Sequence, residues 1–299
     1  MIFGNSFEKM TMYTFEKELF TKIPNMTSEQ RVYEILSIYP IEKDVNYFAT
    51  SWGMLFRQKR LNQAKLPKKL NGGFTVCQHI RYREIIPVLR ELGINILFAP
   101  HAPQRQQYND IIVLPFPLYP NNGINPAEKK DILYSFIGLE SHPTRKKIFA
   151  LPRRSDVIIK RRSAWHFYLR NEKAILLRWS ERREQERKEY QNTLTRSRFS
   201  LCPRGTGPST IRFWESLQAG AIPVLLADAM ALPKIEGINW DDCIIRILEK
   251  NISSVDHIIR AISSEKEIAM RENCLRAFAL SCASDNFVQT IRDYFEKIN

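Results

Sequence analysis

From residue 199 to residue 228 the sequence reads Phe-Ser-Leu-Cys-Pro-Arg-Gly-Thr-Gly-Pro-Ser-Thr-Ile-Arg-Phe-Trp-Glu-Ser-Leu-Gln-Ala-Gly-Ala-Ile-Pro-Val-Leu-Leu-Ala-Asp. Its order predicts a strand, a loop with two glycines and an arginine, a helix whose first turn carries hydroxyls, and a second apolar strand. Gly205 and Gly207 carry no Cβ, so their N–H groups can come close to an anion. Ser209 or Thr210 starts the helix, and the dipole and free N–H groups of a helix start favour phosphate. Arg204 and Arg212 add bidentate, charge-assisted donors. No Gly-Lys-Ser/Thr follows, so this is not a Walker loop, and the Gly-x-Gly-x-x-Gly fingerprint is also absent. A lone Gly-x-Gly equally describes an ordinary strand-to-helix turn.

The elements around this stretch alternate. Short β-branched runs at residues 45–49, 74–78, 94–98 and 110–114 read as strands, with a helix at 83–92 ended by Gly93. A second series follows: a strand at 132–138, a helix at 181–195, a strand at 199–201, a helix at 209–219 and a strand at 222–226. Between them lies a Pro- and Asn-rich stretch (Pro115, Pro117, Pro120, Asn121, Asn122, Gly123, Pro126) suited to an interdomain link. The expectation is an α/β chain of two Rossmann-like domains facing a cleft. Residues 1–125 form the acceptor side and 126–285 the donor side. A terminal helix over 286–299 has Phe287, Ile291, Tyr294 and Ile298 on one face and packs back on the first domain.

The longer pattern resembles a known family. Leu-Cys-Pro-Arg-Gly, then Ser-x-x-Arg-Phe-x-Glu-Ser-Leu-Gln-Ala-Gly-Ala-Ile-Pro-Val-Leu-Leu-Ala-Asp, then Leu232-Pro233 and Asn239-Trp240 are similar to the donor-binding half of the exostosin glycosyltransferases. Phe136-Ile137-Gly138 with Arg145, Asp110-Ile111-Ile112-Val113-Leu114-Pro115, and residues 42–48 are weaker echoes. The resemblance implies a GT-B fold, a nucleotide-sugar donor with UDP-sugars favoured, inversion at the anomeric carbon and no obligatory metal. The sequence shows no Asp-x-Asp, and no cofactor is expected. Arg145, Arg204 and the Ser209/Thr210 helix start are then the groups to neutralise the leaving diphosphate.

Glu215 is placed to accept the donor's ribose hydroxyls, or is an exposed helix carboxylate paired with an arginine. Asp228, at the end of a buried strand, meets the donor sugar or caps a helix. An inverting transfer needs a base from the first domain. The candidates are His79 and His101, each after a strand, and Asp110, which begins one. His142 and His257 read as surface residues, and His166, near Trp165 and Phe167, as packing.

Bulk properties bound the alternatives. The chain has 299 residues, 44% of them apolar, five scattered cysteines without zinc spacing, and a net charge of +13. No run is long enough for a membrane span, and the first residues lack a secretory pattern. The resemblance is to a family whose eukaryotic members are anchored in the secretory pathway, and this departure implies a bacterial-type, soluble enzyme on the cytoplasmic side. Its acceptor would be a saccharide or lipid-linked saccharide in surface polysaccharide synthesis. The basic stretch between Arg145 and Arg198 reads as a helix face with interleaved glutamates, and an anionic inner leaflet is a further candidate partner. No nucleic-acid motif is present and no nucleic-acid partner is expected. The rival readings are a non-catalytic polyanion binder, a degenerate transferase subunit, and a donor linked to GDP or CMP.

Overall fold

A computed structural model describes residues 9–22, 27–120, 124–127, 129–163 and 178–297. Asn121 to Gly123 of the proline-rich stretch, His166 with its neighbours Trp165 and Phe167, and Ile298 lie outside them.

The first series of elements is β1 (Thr11–Thr14), α1 (Ser28–Ile38), β2 (Asn46–Ala49), α2 (Trp52–Gln58), β3 (Phe74–Val76), α3 (Ile86–Leu92), β4 (Ile96–Ala99), β5 (Gln106–Tyr108) and β6 (Ile111–Pro115). The second is β7 (Ile132–Leu139), α4 (Pro143–Phe149), β8 (Val157–Arg162), α5 (Arg178–Arg196), β9 (Ser197–Pro203), α6 (Ile211–Gln218), β10 (Ile222–Leu226), β11 (Ile245–Arg246), α7 (Val255–Arg260), α8 (Ser264–Ser281) and α9 (Gln289–Glu296).

These strands make two sheets, ordered β1-β2-β3-β4-β6-β5 and β11-β10-β9-β7-β8. Every recorded pairing is parallel except the β5–β6 hairpin. Strands covered on both faces need no polar alternation, which is why β10 is buried at every position and β9 at all but Arg198. The fold is therefore a mixed α/β, GT-B-like arrangement of two parallel-dominated sheets.

Local chemistry sets the element ends. Thr27 caps α1 by accepting the Gln30 N–H at 3.1 Å. Gly93 ends α3 with φ +76°, and a Cβ there would lie 1.9 Å from the Leu70 carbonyl oxygen, so only glycine fits. Several elements differ from the sequence reading. β8 carries Lys160, Arg161 and Arg162 at its carboxyl end, where their charge masked the strand. α8, the second-longest helix, carries polar residues around most of its surface and gave little periodic signal. The terminal helix divides into a 3₁₀ turn, Ser284–Val288, and α9.

One buried apolar cluster runs through both sheets. The C-terminal segment joins it to the first sheet. Phe295 packs on Phe74 at 5.2 Å, Tyr294 edges onto Phe98 at 5.8 Å, and Phe287 meets Phe116 at 5.3 Å and Tyr119 at 5.1 Å. Each buried aromatic contributes about 1.5–3 kcal/mol relative to exposure. Lys43 and Arg31 donate to the carbonyls of Phe295 and Ser284 at 2.7 and 2.9 Å, fixing where the segment docks.

Much of the basic charge is spent locally. Arg162 pairs with Glu189 at 2.6 Å, Lys160 with Glu189 at 2.5 Å, and Arg187 with Glu184 at 2.7 Å. Among the described residues, no helix is long and apolar enough to cross a membrane.

Candidate functional site

β9 and α6 are joined by residues 204–210, which leave the carboxyl end of the second sheet. Parallel sheets gather ligand groups at that end. Thr210 is the N-cap of α6, but its side chain caps nothing. The Ser209 Oγ is buried and has no partner among the described residues, nor has the Arg204 Nε.

Three arginines surround this loop. Arg145, in α4, donates from Nε to the Arg204 carbonyl at 2.9 Å and from Nη1 to the Leu139 carbonyl at 3.2 Å. Arg212, in α6, donates to the Ile137 carbonyl. Both guanidiniums lie over the Phe136 ring, at 5.7 and 4.7 Å from its centroid, and Arg212 also lies 4.9 Å from that of Tyr190. Among the described residues, Arg145, Arg204 and Arg212 make no ion pair with a carboxylate. Burial, with Arg212 alongside, lowers Arg145 to about 10, which still leaves it a cation at neutral pH. Held by carbonyls and aromatic faces, this concentration of positive charge favours an anion.

The two loop glycines are sites of close approach. A Cβ on Gly205 would lie 3.3 Å from the Arg145 Nη2, and one on Gly207 would lie 2.6 Å from the Nδ1 of His101. Gly205 thus faces a cation of its own half, while Gly207 faces an imidazole from the carboxyl end of β4 in the first sheet.

Glu215 is buried, 5% exposed, and accepts the Tyr190 hydroxyl. Burial lifts that hydroxyl well above the usual tyrosine range, so it is a permanent donor. Asp228, at the end of β10, accepts the Glu249 N–H at 2.9 Å while Glu249 accepts the Asp228 N–H at 3.1 Å. It therefore caps the 3₁₀ turn Glu249–Ser254.

The three candidate bases part company. Asp110 precedes β6, at the opposite end of the sheet from His101, and is bonded to Arg90 at 3.0 Å on the exposed surface. That position corrects its candidacy, because a group at the amino end of the strand faces away from the site. His79 stacks on Phe56 at 4.0 Å, and its Nδ1 accepts the Arg81 N–H at 3.2 Å, so the neutral ring keeps its proton on Nε2. His101 is 9% exposed with its Nδ1 unpartnered. Burial, and His79 beside it, lower it to about 4, so it is neutral at physiological pH.

Sequence reasoning missed several residues. Tyr190 is the one aromatic among residues 181–195, a strongly charged run, and that signal was available. His142 is the N-cap of α4, accepts the Thr144 N–H at 3.3 Å and lies within electrostatic reach of Arg204 and Arg145. It is thus more than the surface residue expected, whereas His257 is exposed as expected.

Glu29 had no signal at all. Its carboxyl, 1% exposed, accepts the Gln78 N–H at 3.2 Å and so ties α1 to the His79 loop. Burial raises it to about 8, against the opposing pull of the Gln78 N–H. The native state then holds a proton that the unfolded chain releases above about pH 4.5, so this group's contribution to stability falls as pH rises towards 8. Glu29→Gln keeps the shape without titrating. Its melting temperature should gain on the wild type between pH 5 and 8.5, and parallel profiles would contradict the assignment.

Comparison with known proteins bears on this site. A family model described as the Exostosin GT47 domain matches residues 92–262, over half of the chain. Exostosin-1 of Drosophila melanogaster is 41% identical over 90 residues, 30% of this chain and 12% of that protein. Exostosin-1c of Danio rerio is 38% identical over 89 residues, 30% and 12% of the two chains. The Exostosin-1 homolog of Caenorhabditis elegans is 30% identical over 115 residues, 38% and 29% of the two. The chain thus spans less than a third of the length of these relatives.

Proposed function

The chain belongs to the exostosin GT47 family of glycosyltransferases, and on that premise we propose that it moves a glycosyl group from a nucleotide-sugar, a UDP-sugar first, to a saccharide hydroxyl. The observation that carries this reading is the loop at residues 204–210, where three arginines without carboxylate partners among the described residues meet two close-approach glycines and the open start of α6.

In the proposed step the acceptor oxygen attacks the anomeric carbon from the face opposite the diphosphate. The new C–O bond forms as the bond to the diphosphate breaks, the acceptor hydroxyl loses its proton, and negative charge grows on the departing phosphate oxygens. In this reading Arg145, Arg204, Arg212, the N–H groups of Gly205 and Gly207, and the hydroxyls of Ser209 and Thr210 receive that charge, and the leaving group then needs no metal to neutralise it. The growing charge is larger in the transition state than in the donor, so these contacts raise turnover as well as affinity.

We assign Glu215, with the Tyr190 hydroxyl on it, to the donor's ribose. Glu215→Ala should weaken UDP binding about tenfold and leave inorganic pyrophosphate binding unchanged, as read by calorimetry. Equal losses for both ligands would make Glu215 a support for Arg212 instead. Turnover is tested by release of free UDP from a panel of UDP-sugars in the presence of short oligosaccharides. No release with any pair, from protein that binds UDP, would favour the degenerate-subunit reading.

A further inference from the structure

We propose that His101, from the first sheet, donates a hydrogen bond from Nδ1 to the diphosphate received by residues 204–210 of the second sheet, so that the donor is gripped from both sides of the cleft. This rests on the reading of that loop as the donor-diphosphate site. Among the described residues, three buried polar atoms around the loop lack partners: the Nε of Arg204, the Oγ of Ser209 and the Nδ1 of His101. Arg204 and Ser209 offer hydrogens, and buried donors are rarely left orphaned in a folded protein. One anion with several oxygens satisfies all three, provided His101 carries its proton on Nδ1.

The imidazole packs directly against the loop. Its Nδ1–Cε1 edge faces Gly207, and a Cβ on that residue would come within 2.6 Å of Nδ1, 2.8 Å of Cε1 and 2.8 Å of the Ile80 Cγ2. A side chain at position 207 would thus exclude the ring. On the opposite glycine, Arg145 approaches Gly205 in the same way. The Gly-Thr-Gly loop is therefore flanked by nitrogen donors from both halves of the chain.

The ring's chemistry fits a neutral donor better than a base. Burial, with His79 as the titratable group beside it on the first sheet, holds it at about 4. An imidazole of such low basicity accepts a proton poorly at neutral pH, yet it still donates one N–H without charge.

The test uses the full chain and three probes: UDP, inorganic pyrophosphate and uridine. His101→Leu removes the donor and should weaken UDP and pyrophosphate binding about tenfold while leaving uridine unchanged. His101→Gln, which keeps an N–H, should recover most of the loss. Nitrogen-15 spectra of the wild-type imidazoles should show the His101 proton on Nδ1 and the His79 proton on Nε2. Unchanged pyrophosphate affinity in the leucine variant would overturn the assignment, as would a His101 proton on Nε2. The spectra decide even where the leucine variant does not fold. A wild type that binds neither UDP nor pyrophosphate would instead sink the donor-site reading, and this inference with it.

Discussion

Arg204→Ala is expected to weaken UDP binding by about 2 kcal/mol or more, roughly thirtyfold, and to abolish glycosyl transfer. Arg204 opens the loop directly after β9, and its backbone is pinned by a bond from its N–H to the Leu226 carbonyl at 3.2 Å. Its carbonyl in turn holds Arg145. Truncating the side chain leaves both backbone bonds in place, so the fold should survive and the melting temperature should move little. The loss then isolates the guanidinium. Its Nε has no partner among the described residues, so nothing in the protein gains a free group when it is removed. Arg204→Lys should recover charge but not the forked geometry, and should fall between the two. Near-normal UDP affinity and turnover in Arg204→Ala would remove the loop from the donor site.

Gly207→Ala should be comparably damaging for a different reason. A single methyl group would meet the ring of His101 and the Ile80 side chain at distances no real Cβ tolerates, and His101 is too buried to swing aside. The loop must therefore retreat. Overpacking of this kind costs about 1–3 kcal/mol and displaces the backbone N–H groups from the ligand. A lowered melting temperature and at least a tenfold loss of pyrophosphate affinity are expected together. Combining Gly207→Ala with His101→Gly should recover part of the lost melting temperature, since the contact with the ring is relieved while that with Ile80 remains, and affinity stays low because a donor is gone. A Gly207→Ala protein that binds pyrophosphate like the wild type would show that the two halves do not meet at this residue.

The sequence made the second sheet easier to read than the first, and the reason is physical. β10 is buried at every position and appears as an unbroken apolar run, β9 is buried at all but Arg198, and the loop between them holds residue types that few other tasks require together. α6 starts two residues later than its hydroxyls suggested, because Thr210 is the cap and not the first helical residue. The site's supports were harder to see. Phe136 and Tyr190 matter only because the fold brings Arg212 onto both rings, from positions 76 and 22 residues away in the sequence. Glu29 was invisible for the same reason: a glutamate in the first turn of a helix normally faces water, and only the closure of α1 over the Gln78 backbone buries it. The histidines carried no distinguishing neighbours in sequence. Their difference arises from one hydrogen bond, on the Nδ1 of His79, and from the depth at which His101 sits.

The central claim is that residues 204–210 receive a nucleoside diphosphate, and the most direct measurement is thermal stabilisation of the full chain by UDP, GDP, ADP and CMP, each with and without EDTA. A ligand at a hundred times its Kd stabilises by about 2.7 kcal/mol, which a melting curve resolves. The account predicts that one nucleoside diphosphate, UDP first, raises the melting temperature equally in EDTA, and that Arg204→Ala loses the shift. No shift with any nucleotide, or a shift that Arg204→Ala retains in full, would contradict it.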